Sequence, residues 1–233
     1  MNFKYKKILT FFAHPDDETL AAGATIHNLS KKKDCEIFVA IPNTGIDGRK
    51  NKINIKKRNL LKKSLKSETA QALNKIGVNK KNIFFGNFKD NESDSHSLLE
   101  IIHWFENIIS KVKPDLVLTH HRYCTNIDHR YCHEAAIVAT RAKHNQHIAL
   151  MAAEVPSSTG YLKPTNWEPN FFYSISETDL EAKINAMETF TSEVQKDPGP
   201  RSPEVLRALA KVRGSQSGFY FAESFIILNI YNQ

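Results

Sequence analysis

The chain has 233 residues, 41% of them hydrophobic and 24% charged, which is enough apolar material for one sizeable core and a single domain over residues 1–233. No run approaches the roughly 20 apolar residues that span a bilayer, and the opening MNFKYKKILTFF lacks the apolar core and small-residue cleavage site of a secretory signal, so a soluble, cytoplasmic protein is expected. Three cysteines do not make a disulfide framework, and the formal charge of +7 sits mostly in KKK (31–33) and GRKNKINIKKRNLLKKSLK (48–66), where aromatic and basic residues do not interleave as a stacking platform for nucleic acid requires.

In chain order, KKILTFFA reads as a first strand, and DETLAAGATIHNLSKK carries apolar residues at helical spacing. CEIFVAI (35–41) is a second strand. The segment INIKKRNLLKKSLKSETAQALNKIGV predicts a helix stopped by Gly77, which tolerates positive φ, and NIFFGNF (82–88) is a third strand. SLLEIIHWFENIISKVK (97–113) places Leu98, Ile101, Ile102, Phe105, Ile108 and Ile109 on one stripe, ended by Pro114. DLVLTH is a fourth strand, DHRYCHEAAIVATRAK a helix with Asp128 as N-cap, and HIALMAAEV (147–155) a fifth strand. From Pro156 the pattern loosens into a long loop, PSSTGYLKPTNWEPN (156–170), and helices at 177–194 and 203–213 and the apolar run FIILNI complete the chain. Alternating strands and helices predict an α/β, Rossmann-like fold, with a mostly parallel sheet covered by helices on both faces.

In such a sheet, ligands bind beyond the carboxyl ends of the strands where the winding reverses, between the first and fourth strands in chain order. Two polar clusters stand at those strand ends: AHPDDE after the first and THHRYCTNIDHRYCH after the fourth. The first turn lacks the glycine-rich fingerprint of a nucleotide site and offers three carboxylates where a pyrophosphate needs amides and positive charge. A divalent cation fits better, because catalytic zinc commonly takes three His or Asp/Glu ligands and leaves a position open for water. One acid of HPDD then serves as a ligand, and the other stands beside the water as general base. A plainer reading makes the acids a helix N-terminus that complements the macrodipole. A structural zinc on Cys124 and Cys132 is disfavoured because no C-x-x-C pair exists and Cys132 and His133 are adjacent. Cys132 is assigned to helix packing, Cys124 to a loop thiol and His133 to packing or support of a ligand.

AHPDDETL followed by PDLVLTHHRYCTNIDHR resembles the PIG-L/LmbE family of zinc-dependent N-acetylglucosamine deacetylases. EVPSSTGY, PNFFYSIS, GPRSPE, VRG and AESF are similar to its bacterial branch linked to surface-polysaccharide and amino-sugar biosynthesis. The resemblance implies one zinc held by His14, Asp17 and His129, with Asp16 as general base. Where many members read H-P-D-H, with the first histidine stabilising the oxyanion, this chain has NIDH, so Asn126, His120 or His121 takes that role. Gly199 stands where relatives with this tail often show histidine. The implied substrate is an N-acetylated amino sugar, nucleotide- or lipid-linked. Basic residues in 48–66 steer an anionic substrate or meet a membrane surface. The alternative is a non-catalytic α/β module that binds nucleic acid or an anionic surface through that basic segment.

Overall fold

The structure is a computed structural model and describes residues 4–46, 54–143, 146–162 and 167–231. Part of the basic segment, residues 48–53, lies outside the described residues. In chain order the elements are β1 (Lys7–Phe11), α1 (Asp17–Ser30), β2 (Glu36–Asn43), α2 (Ile55–Lys75), β3 (Ile83–Phe88), α3 (Leu98–Val112), β4 (Leu116–His120), α4 (Ile127–Ala139), β5 (Ala149–Ala153), β6 (Phe171–Ile175), α5 (Glu177–Met187), α6 (Pro203–Ser217) and β7 (Phe221–Asn229).

The strands form one sheet in the order β3-β2-β1-β4-β5-β7-β6. Strands β1 to β5 run parallel, whereas β7 lies antiparallel between β5 and β6. The mostly parallel α/β reading is therefore right, and the antiparallel edge is an addition to it. Alternation along β1 divides the core: Ile8 and Phe12 join the side chains of α1, α5 and α6, while Leu9 and Phe11 pack against α3 and α4. Phe11 stacks on Phe105 with ring centroids 3.8 Å apart. Cys132 is buried in that second layer, as expected of a packing residue.

The boundaries hold several corrections. Asn126, not Asp128, caps α4: its side chain accepts from the Asp128 amide at 2.8 Å. Helix α5 ends at Met187 instead of 194, and Phe171–Ile175, to which the sequence pattern assigns no element, pairs with β7. Helix α3 leaves through Lys113 in the left-handed region, φ 52°, not through the extended backbone favoured before proline. Gly77 follows the end of α2 with φ 84°, as the sequence requires.

Strand β1 is central because β2 pairs on one side of it and β4 on the other. Phe11 lies beside Thr119, so the segments leaving β1 and β4 start from neighbouring positions although they are over a hundred residues apart in sequence.

Candidate metal and catalytic site

The chain leaves β1 through Phe12 and Ala13, and Ala13 donates its amide to His120 Nε2 at 2.7 Å, tying the two strand ends together. Asp16 then takes φ 108°, a left-handed value uncommon for a non-glycine residue, and α1 begins at Asp17. Such backbone costs on the order of 1–3 kcal/mol and persists where surrounding contacts over-determine it. The turn points Asp16 and Asp17 to different partners.

Asp17 meets the histidines. Its Oδ2 lies 3.1 Å from His14 Nδ1 and 3.1 Å from His129 Nε2, and those two nitrogens are 3.3 Å apart. His129 reaches this point from the first turn of α4, which the side-chain cap of Asn126 and the bonds from Arg130 to the carbonyls of Cys124 and Thr125 hold in place. A tetrahedral metal with bonds of 2.0–2.1 Å needs donors separated by about 3.3 Å. The triangle already has that size, and these three residues form a group able to hold a metal ion.

The remaining nitrogens are anchored outward. His14 Nε2 faces Asp128 Oδ2 at 2.8 Å and Asp90 Oδ1 at 2.7 Å, while His129 Nδ1 lies 3.1 Å from Ser158 Oγ. Asp128 is itself fixed by the amides of Asn91 and Ser93, at 2.6 and 3.0 Å. A carboxylate behind an imidazole sets its tautomer and raises its basicity, leaving Nδ1 of His14 free to act as donor toward the interior. Two overlapping groups also have converging donors, His120 with Cys124 and His129, and His14 with Asp90 and Asp128. In the first, His120 Nε2 already accepts an amide and Cys124 Sγ is 3.2 Å from Thr159 Oγ1. In the second, the two acids anchor a ring whose inner nitrogen belongs to the His14–Asp17–His129 triangle.

Charge at the triangle is strongly organised. Burial works against a charged imidazole at both positions, but the carboxylates around His14 raise it well above its ordinary range, and Asp17 raises His129 to about 9. Asp17 is held well below the ordinary carboxylate value, since the neighbouring histidines outweigh its burial. The setting favours positive charge at this point, whether proton or metal ion.

Asp16 behaves differently. It is 1% exposed, burial pushes its carboxyl well upward, and Arg201 opposes that push from 3.1 Å. Asp16 and Arg201 line a cavity of about 220 Å³ together with His14, Asn91, Asn126 and Glu193. A second cavity of about 240 Å³ is lined by His14, Asn126, His129, Ser158 and Arg201. Asn126 faces both, yet its side chain is engaged at each end: Oδ1 caps α4 and Nδ2 donates to Asn91 Oδ1 at 2.9 Å. His120 is buried and held well below its usual pKa, by burial first. Burial likewise lowers His121 to about 4, and its ring meets Trp167 edge-on with centroids 5.0 Å apart. His133 donates from Nδ1 to the His120 carbonyl at 2.8 Å and so supports the β4 end.

The sequence placed His14, Asp16, Asp17 and His129 at one strand-end cleft, and the structure brings them together there. It did not single out Asp90, Arg201 or Ser158. Arg201 lies in GPRSPE, a stretch noted only for its likeness to relatives, and Asp90 stands in a turn with no pattern of its own.

Comparison with known proteins decides the family. The family model described as GlcNAc-PI de-N-acetylase, PIG-L, matches residues 9–140, more than half of the chain. The chain belongs to the PIG-L family. No curated protein matches it by sequence. Among solved structures, the N,N'-diacetylchitobiose deacetylase from Pyrococcus horikoshii superposes with a TM-score of 0.78 at 21% identity, over 97% of this chain and 84% of that one. The 4-carboxy-2-hydroxymuconate hydratase GalB from Pseudomonas putida KT2440 gives 0.74 at 18% identity, covering 98% of each chain. A zinc-inhibited form of the teicoplanin deacetylase Orf2 gives 0.73 at 16%, over 94% of this chain and 96% of that one. At these identities the likeness is one of fold, and that fold carries both deacetylases and a hydratase.

Proposed function

We propose that this PIG-L family member is a single-domain, zinc-dependent deacetylase that removes the acetyl group from an N-acetylglucosamine-type conjugate in surface-polysaccharide or related amino-sugar biosynthesis, acting in the cytoplasm. The observation that carries this reading is the triangle of His14, Asp17 and His129 beside a separately held Asp16, all opening on one polar cleft. His14 Nδ1, Asp17 Oδ2 and His129 Nε2 are the proposed zinc ligands, and their mutual spacing fits a tetrahedral ion. When bound, zinc polarises the amide carbonyl and makes an adjacent water acidic.

The remaining chemistry belongs to the protein. Asp16 accepts a proton from the attacking water as the new C–O bond forms and the carbonyl oxygen becomes anionic. The same carboxyl then passes its proton to the sugar nitrogen as the C–N bond breaks, and acetate and the free amine leave. Water and the amide are the only reactants, so the step balances without an oxidant or second substrate. Asp90 and Asp128 keep the His14 ring oriented throughout. A nucleotide- or lipid-linked sugar fits the basic rim supplied by α2, and in the lipid-linked case the rim also meets a membrane surface.

The test is mass spectrometry of UDP-linked and lipid-linked N-acetyl sugars incubated with zinc-loaded and chelator-treated protein. Loss of one acetyl group only with the loaded protein is expected. Hydration of an unsaturated carboxylate with no acetyl loss from any sugar would overturn the reading in favour of hydratase chemistry.

A further inference from the structure

Attack on an amide carbonyl leaves negative charge on oxygen, and a donor aimed at that oxygen contributes on the order of 10²- to 10³-fold in rate. Asn126, which occupies the expected position, is pinned at both ends, with Oδ1 on the helix cap and one Nδ2 proton on Asn91, and its remaining N–H is a single neutral donor where a histidine would carry charge. His120 accepts the Ala13 amide on Nε2, so its remaining proton sits on Nδ1, a buried atom without a hydrogen-bond partner among the described residues. His121 Nε2 is likewise sealed from solvent.

One cationic side chain lines both cavities. Arg201 faces His14 and His129 in one and Asp16 in the other. Its Nε stands 3.1 Å from Asp16 Oδ2 as an ion pair, but neither atom makes an aligned hydrogen bond among the described residues. That N–H is buried, charged and uncommitted in direction. The guanidinium offers five donors in a planar fork, suited to an oxygen that acquires charge during reaction.

We infer that Arg201 is the oxyanion-binding catalytic residue of this chain, supplying from the GPRSPE segment the charged donor that an asparagine at position 126 does not. This rests on the deacetylase reading above.

Methylphosphonate, a tetrahedral anion with the shape of hydrated acetyl, tests the inference by calorimetric titration into zinc-loaded protein, with metal content measured for each variant. Arg201→Gln should bind it at least 10-fold more weakly, and Arg201→Lys, which keeps the charge and perturbs folding least, several-fold more weakly. The same loss should appear when Arg201→Gln is combined with Asp16→Asn. In kinetics, Arg201→Gln should lower kcat on the order of 100-fold with KM within about threefold. Unchanged methylphosphonate affinity, or a loss that vanishes in the Asp16→Asn background, would overturn the role, the latter leaving Arg201 as a positioning partner of Asp16. If the unsubstituted chain removes acetyl from no sugar, the deacetylase reading itself falls. If it does so while methylphosphonate binding ignores Arg201, only this inference falls.

Discussion

Neighbouring acids in HPDDE have opposite surroundings: Asp17 sits among three imidazoles, and Asp16 faces a guanidinium across a cleft. Their roles should therefore separate. Asp16→Asn keeps the shape but cannot accept a proton, so it should retain metal and lose about 10²- to 10⁴-fold in kcat. Asp17→Asn exchanges an anionic donor for a neutral one, so it should lose metal and recover part of its activity in excess zinc. Zinc content and acetate release, measured for both with and without added metal, check this; rescue of Asp16→Asn instead would mean that the roles are reversed. Asn126 separates structure from catalysis in the same way. Asn126→Ala removes a helix cap and the tie to Asn91, so it should cost about 1 kcal/mol in a urea melt. Its kcat should fall by less than tenfold, because its amide is not the oxyanion donor.

Between elements, the tie most open to measurement joins α1 to α5. Asp179 accepts from Ser176 in a capping box and from Asn28 and Lys31 of the α1 end, and it lies 2.8 Å from His27 Nδ1. Burial alone would raise its pKa, but Lys31, Ser176 and Asn28 together lower it well below the usual carboxylate value. A carboxyl depressed in the folded state contributes stability above its unfolded pKa of about 3.9 and loses that contribution as pH falls toward the folded value. Asp179→Ala should thus cost about 2 kcal/mol at pH 7, discounted because Lys31 is half exposed, and the gap should narrow below about pH 4 in denaturant melts. Elements of this kind were legible from β1 to β5 because period and punctuation agree there: Gly77 and Pro114 stand where helices stop, and the stripe on α3 marks its buried face. The later strands were not. Phe171–Ile175 is five residues long with aromatic side chains in no alternation, and its pairing with β7 is set by a long-range antiparallel contact that leaves no local trace. The α4 cap was misplaced because Asn126 and Asp128 are both good caps and only the turn geometry chooses between them. At the site, the two polar clusters at neighbouring strand ends located the cleft, and the resemblance to the family selected His14, Asp16, Asp17 and His129 within it. Arg201 enters from a segment nearly two hundred residues from the first motif, and single-chain periodicity carries no record of that meeting.

Across the molecule, positive charge and the cleft lie side by side. Leu65 of α2 lines the Asp16 cavity, and the exposed residues of that helix include Lys56, Lys57, Lys63 and Lys66. Lys57→Ala with Lys63→Ala should raise KM for a phosphate-bearing sugar several-fold with little change in kcat, and the difference should shrink as salt shortens the Debye length below about 8 Å. Equal KM values at low ionic strength would leave these lysines as solvated surface. The deeper claim is that one metal ion, held by His14, Asp17 and His129, makes this cleft a hydrolase, and titration of zinc into chelator-treated protein while acetate release is followed addresses it most directly. Activity should rise in proportion to bound zinc, reach its plateau at one ion per chain, and be absent from His129→Ala, which should hold no zinc at the concentration that saturates the unsubstituted chain. Full activity in the chelated protein, or zinc retained by His129→Ala and lost from Cys124→Ser with Cys132→Ser, would contradict it.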